Sequence, residues 1–286
     1  MHIHWFPGHM TKAIRMMQEE IKLVDSVIYV LDARAPLACV NEAFDEVIGK
    51  KPRLYVLNKA DTVSRDALIE WVDWFRARGD KCIYSNSISK SDSGVIVKNL
   101  IELNEDIIER YRKKGVAKVV RAMVIGVPNT GKSTLINSLL KEKRVATGNR
   151  PGVTRGKQWV AIDPYIELLD SPGVLYPDYR DQTRAMKLAL IGSIKDEVVD
   201  RYELALDAAA FLMREYPDAL RTRYKLDELP SDAAEFLDAV ALRRGIISRG
   251  GEADRERAAN AFINDYRKGY LGKIPLEKAG LRESRR

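Results

Sequence analysis

Cysteine is scarce in this chain: Cys39 and Cys82 are the only two among 286 residues. They are far apart and form no CxxC pair, which removes the usual metal and redox signatures and suits a reducing compartment. Long apolar runs are missing as well. No stretch approaches the roughly 18 uninterrupted apolar residues that a membrane helix needs. The opening Met-His-Ile-His-Trp-Phe-Pro-Gly-His has no charged start followed by an apolar run, so no secretory signal is expected and the expected compartment is the cytoplasm. No internal repeat or low-complexity tract is present. The RRM, KH and zinc-knuckle patterns are absent too, so sequence-specific reading of RNA is not indicated.

What remains is a globular composition, 45% apolar and 31% charged. A chain of 286 residues predicts one or two domains with a substantial core. The net charge of +7 is unevenly spread. Residues 1–177 carry 27 Lys and Arg against 21 Asp and Glu, and residues 178–238 carry 9 against 14. Residues 239–286 carry 12 against 6. A basic C-terminal stretch suits a polyanion partner, and it equally suits a merely solvated basic face.

Short apolar runs at Val27–Leu31, Arg53–Leu57, Cys82–Ser85, Val119–Gly126, Gln158–Ile162 and Ile166–Asp170 read as buried parallel strands. Amphipathic helices fit between them near residues 10–23, 40–49, 64–78, 93–113 and 132–140. The alternation predicts a three-layer α/β domain built on a mostly parallel sheet. After Pro177 the strand signal stops. Helical spacing follows near 180–193, 198–214, 231–243 and 253–270, with Pro217 and Pro230 as breaks. The expected organisation is an α/β domain over 1–177 and an all-helical domain over 178–286. Ala205, Ala208, Ala209, Leu212, Phe236, Leu237, Val240, Phe262 and Ile263 fit a bundle core.

Gly126-Val127-Pro128-Asn129-Thr130-Gly131-Lys132-Ser133, followed by Thr134, fits the phosphate-loop pattern G-x-x-x-x-G-K-[ST]. A strand precedes it and a helix follows, which is the context that pattern requires. Gly126 and Gly131 let the backbone wrap phosphate oxygens. Lys132 should reach the β- and γ-phosphates, and Ser133 should ligate Mg²⁺. Asp170-Ser171-Pro172-Gly173 reads as D-x-x-G, with Asp170 near Mg²⁺ and the Gly173 N–H on the γ-phosphate. Between these lies a basic segment containing Pro151-Gly152-Val153-Thr154, whose Thr154 is the candidate to meet Mg²⁺ in the triphosphate state.

Asn58-Lys59-Ala60-Asp61 fits N-K-x-D and follows the C-terminal end of a strand, where open α/β sheets bind ligands. Asp61 can accept from guanine N1–H and N2–H₂, Asn58 can tie back to the phosphate loop, and the Lys59 stem can cover the base. Ser85 and Asn86 stand where a backbone N–H would approach guanine O6. The usual dipeptide there is Ser-Ala, so Asn86 departs from the pattern.

In ordinary GTPases the phosphate loop precedes N-K-x-D, and here the order is reversed. The chain resembles the circularly permuted GTPases of the bacterial ribosome biogenesis GTPase A type. The likeness runs from Trp5-Phe6-Pro7-Gly8-His9-Met10 through all the motifs above to a helical C-terminal domain. It implies a circularly permuted P-loop GTPase domain followed by an all-helical domain. It further implies a Mg²⁺-dependent GTP hydrolase that assists large ribosomal subunit assembly, with rRNA and precursor particles as partners; a monomer is expected. Val174 stands where many GTPases have a water-orienting Gln, which makes His9 the catalytic candidate, although a histidine there can also serve plain packing. In cation-dependent GTPases an Asn at position 129 ligates K⁺, so Asn129 is the K⁺ candidate; a turn-forming Asn is the other reading. The basic residues Arg243, Arg244, Arg249, Arg267, Lys268 and Lys273 are candidates for RNA contact. The competing functional reading is a GTP-regulated binding module for protein partners.

Overall fold

The computed structural model describes residues 15–87, 92–141, 158–170 and 181–280. Residues 15–20 are helical (α1) and run into a short 3₁₀ turn. The described strands are β1 (Ser26–Asp32), β2 (Arg53–Asn58), β3 (Lys81–Tyr84), β4 (Val120–Ile125), β5 (Gln158–Asp163) and β6 (Ile166–Asp170). They form one sheet in the order β3-β2-β1-β4-β6-β5. Every residue of β1 is buried, as its unbroken Ser-Val-Ile-Tyr-Val-Leu-Asp run requires of a central strand. β1 lies parallel to β2 on one side and to β4 on the other.

One strand departs from the expectation of parallel pairing. β5 runs antiparallel to β6 at the sheet edge. The reason is local: only Pro164 and Tyr165 separate the two strands, and so short a connection makes a hairpin, never a crossover.

Alternate residues of β1 face opposite layers. Ile28 and Val30, with Leu54 and Val56 of β2, pack against Ile96 and Leu100 of α5 (Asp92–Leu103) and Leu135 and Leu139 of α7 (Lys132–Lys141). Val27, Tyr29 and Leu31 face the other way. There they meet α2 (Pro36–Cys39), α3 (Glu42–Ile48) and the Leu68, Trp71 and Phe75 ridge of α4 (Arg65–Arg76). The single helix expected over 93–113 is two, α5 and α6 (Glu105–Arg112). Asn104 breaks it by turning its amide out to the Ser26 hydroxyl at 3.1 Å and to the Leu100 carbonyl at 2.8 Å.

Every regular element described after residue 180 is helical: α8 (Gln182–Leu190), α9 (Arg201–Glu215), α10 (Pro217–Tyr224), α11 (Ala233–Arg243) and α12 (Arg255–Arg267). Asp181, Asp200, Asp232 and Asp254 each cap a helix N-terminus with the side-chain carboxylate. Pro217 starts α10 rather than merely ending its predecessor, because proline at the first helical position forfeits no hydrogen bond. The apolar positions expected as bundle core are all fully buried. This core is continuous with the β1 face: Leu188 and Ala189 of α8 belong to the same cluster as Tyr29, Phe44 and Phe262. Among the described residues no helix is long and apolar enough to cross a membrane.

Candidate functional site

The loop between β4 and α7 turns on three residues with positive φ: Gly126 (148°), Asn129 (60°) and Gly131 (95°). Both glycines are required by close approach as well. A Cβ on Gly126 would lie 2.3 Å from the Val30 carbonyl oxygen, and one on Gly131 would lie 2.2 Å from Asn58 Nδ2. Lys132 opens α7, and its Nζ donates to the Val127 carbonyl at 2.7 Å across the loop. Burial pulls the Lys132 ammonium down to about 8. Thr130 is buried, with its hydroxyl on the Val127 carbonyl, while Ser133 and Thr134 stand exposed in the first turn of α7. A ten-residue helix thus aims its N-terminal N–H groups at the loop, which is the arrangement that holds phosphate.

β2 delivers N-K-x-D to the same sheet edge. Asn58 Nδ2 donates to the Thr130 carbonyl at 2.6 Å, and Asn58 Oδ1 accepts from Ser87 N (3.1 Å) and Ser87 Oγ (2.6 Å). One buried amide therefore ties the phosphate loop to the loop after β3. Lys59 takes a left-handed backbone (φ 57°) and sends its Nζ to Asp32 Oδ2 at 2.9 Å. Asp61 is exposed on the short turn that follows.

Other expected residues are placed differently. The Asn86 N–H, expected to face guanine O6, donates to Asp92 Oδ2 at 2.7 Å, and the Ser85 hydroxyl reaches the same oxygen at 3.3 Å. Of the residues expected to contact RNA, Arg244 and Arg267 each hold an acidic partner within the helical region; Arg267 is half-buried, whereas Arg244 stays exposed. Arg244 shares Asp265 with Arg223. Arg267 pairs with Asp196 and caps the Ala189 and Leu190 carbonyls at the end of α8. Arg243, Arg249, Lys268 and Lys273 are exposed as well. His9, Thr154 and Gly173 lie outside the described residues, as does the side chain of Asp170, whose backbone ends β6.

Sequence reasoning missed Asp32, Ser87 and Asp92. A signal for Asp32 was available, since it is an acid at the C-terminal end of a buried strand, level with Asn58 in the sheet. Asp32 is buried and binds Arg34 through both oxygens, at 2.9 and 2.8 Å. Burial alone would raise its carboxyl; Arg34 and then Lys59 overturn that and hold it at about 2.

The family model described as a 50S ribosome-binding GTPase matches residues 121–237, which include the phosphate loop. The ribosome biogenesis GTPase A of Priestia megaterium is 40% identical over 279 residues, spanning 97% of both chains. The chain belongs to the ribosome biogenesis GTPase A family. The bovine mitochondrial ribosome-associated GTPase 1 is 33% identical over 294 residues, 96% of this chain and 88% of the bovine one. The crystal structure of GNP-bound YlqF from T. maritima superposes with a TM-score of 0.69 at 28% identity, covering 94% of this chain and 99% of that one. As a ribosome biogenesis GTPase A family member, the chain carries the circularly permuted order in three dimensions: N-K-x-D on β2 and the phosphate loop after β4 flank the central β1.

The residues present fit the cofactors that family implies. No group of three or more His, Cys, Asp or Glu able to hold a metal occurs among the described residues. Mg²⁺ needs no such group, because beside a nucleotide it is carried largely on phosphate oxygens and water, and the exposed Ser133 hydroxyl can serve as one protein donor. The Asn129 amide nitrogen donates to the Gly192 carbonyl at 2.6 Å, which leaves its Oδ1 as the open donor atom for a cation.

Proposed function

We propose that this chain binds GTP and GDP and hydrolyses GTP as an assembly factor for the large ribosomal subunit. The observation that carries the reading is the Asn58 amide, which joins the phosphate loop through Thr130 and the post-β3 loop through Ser87. Two motifs that are separate in the chain thereby become one site. Lys132, Ser133 and the N–H groups of Asn129–Thr134 hold the phosphates. Asp61 reads guanine, and a carboxylate left unpaired by adenine discriminates strongly. Mg²⁺, when bound, neutralises charge on the β- and γ-phosphates. Ser133, with Thr154 and Asp170, would hold it. Asn129 would hold K⁺.

In this reading His9 orients the attacking water in place of the missing Gln at position 174. The stretch over 178–286 forms an RNA-binding domain whose exposed basic residues meet precursor rRNA. The GTP form binds the particle in the cytoplasm and hydrolysis releases it. The relatives' names, ribosome biogenesis for the bacterial one and ribosome association for the mitochondrial one, support the partner.

The test is the GTP hydrolysis rate with and without purified large ribosomal subunits, at fixed K⁺ and Mg²⁺. A large acceleration is expected. No acceleration by mature or precursor particles would leave a nucleotide-binding switch and remove the ribosome from the reading.

A further inference from the structure

Two charged residues compete for one buried carboxylate beside the N-K-x-D motif. Asp32 Oδ1 accepts from the Arg34 backbone N–H at 3.1 Å and from Arg34 Nε at 2.9 Å. Asp32 Oδ2 accepts from an Arg34 terminal nitrogen at 2.8 Å and from Lys59 Nζ at 2.9 Å. The two partners are buried unequally: the Arg34 side chain is 5% exposed and the Lys59 side chain 30%. Arg34 is therefore a fixed part of the fold, whereas Lys59 is the partner that lies at the open surface of the site.

Lys59 also needs holding. Its left-handed backbone is strained for a residue with a Cβ. A four-carbon stem on a free ammonium would sample many rotamers. Asp32 removes that freedom by anchoring the far end of the side chain. The stem is then held at both ends, by its backbone and by the ion pair at Nζ.

We propose that Asp32 is a positioning residue for guanine-nucleotide binding, holding Lys59 ready to cover the base. The inference rests on the proposed nucleotide site. It adds a role for a residue outside every motif that defines that site. Arg34 extends the same carboxylate toward the helical region: its terminal nitrogen reaches the Ile191 carbonyl at 3.4 Å, and its own carbonyl accepts from Leu276 N at 2.7 Å. Lys59 is thereby anchored to a group that the helical region itself holds still.

A double-mutant cycle on GDP affinity tests this, read by fluorescence of a labelled GDP. Asp32→Asn should weaken GDP binding about tenfold in the otherwise native chain, and less than about twofold when Lys59→Ala is already present. Equal losses in both backgrounds, or no loss in the native one, would overturn the inference. Asp32→Asn leaves Arg34 buried without its carboxylate and can fail to fold. The paired variant Asp32→Asn/Arg34→Met removes that charge as well, and replacing a buried pair is tolerated better than breaking it. The same Lys59-dependent loss is expected there, and its absence counts equally against the idea. A native chain that binds no guanine nucleotide would sink the site itself. A native chain that binds GDP but shows an additive cycle would sink only the role of Asp32.

Discussion

Lys132 is charged at neutral pH but sits only slightly below its titration point in the unliganded loop, because burial has drawn it to about 8. Bound phosphates must raise it again, so nucleotide binding above that pH takes up a proton. GDP affinity is expected to be flat below pH 8 and to fall by up to about tenfold per unit above it. Calorimetry in buffers of different ionisation enthalpy would show the uptake; none at pH 9 would mean Lys132 does not meet the phosphates. Gly131→Ala is a second residue-scale test. Its Cβ would fall on Asn58 Nδ2, so the amide must leave Thr130. A loss of GDP affinity worth about 2–3 kcal/mol is expected by titration, combining strain at positive φ with a broken buried hydrogen bond. The positions of both residues were legible in the motif. That Gly131 makes room for Asn58 was not, because the two are far apart in the chain.

Single elements were legible to the extent that their signals were local. β1 reads as central from its unbroken apolar run, and the four aspartate caps stand at the start of helical spacing. Asp232→Ala should cost about 1 kcal/mol, measured by denaturant titration, since it frees the N–H groups of Ala234 and Glu235. What the periodicity hid were interruptions set by tertiary contacts. Asn104 breaks a helix because Ser26 lies opposite it. The end of α8 is likewise made by other elements: its carbonyls at 189–192 accept from Arg267, Arg34 and Asn129. Arg267→Gln should therefore lower the melting temperature while changing RNA affinity little. Lys268→Gln or Arg249→Gln should do the reverse, leaving melting unchanged and reducing the salt slope of RNA binding by about 1 for each phosphate no longer neutralised. Equal effects of all three on the salt slope would put Arg267 back on the RNA.

The whole molecule is joined more tightly than two domains in sequence suggest. Glu277, near the C-terminal end of the described chain, accepts from Leu37 N at 2.7 Å and Ala38 N at 3.1 Å, and pairs with Lys187 at 3.2 Å. Both side chains of that pair are buried, so Glu277→Ala strips a carboxylate from a charged group held away from water. A loss of about 3–5 kcal/mol is expected by chemical denaturation, and a loss under about 1 kcal/mol would show the joint to be solvated. The same joint bears on any movement of the helical region with nucleotide state. Among the described residues the phosphate loop reaches that region through the Asn129–Gly192 hydrogen bond.

The sequence by itself determined the chemistry of the site, because phosphate cradling and guanine reading each need particular residue types at short fixed spacing. Their reversed order was equally readable. The tertiary structure decided which side chains serve as partners. That Asn58 ties back to the phosphate loop was readable from N-K-x-D, and Thr130 is where it does so; that Asn129 finds Gly192 across 63 residues and Lys59 finds Asp32 is recorded in no local pattern. It also decided that Arg267 is tied to Asp196 and to the carbonyls that end α8, since a basic residue looks the same in sequence whether an aspartate or a phosphate lies opposite it.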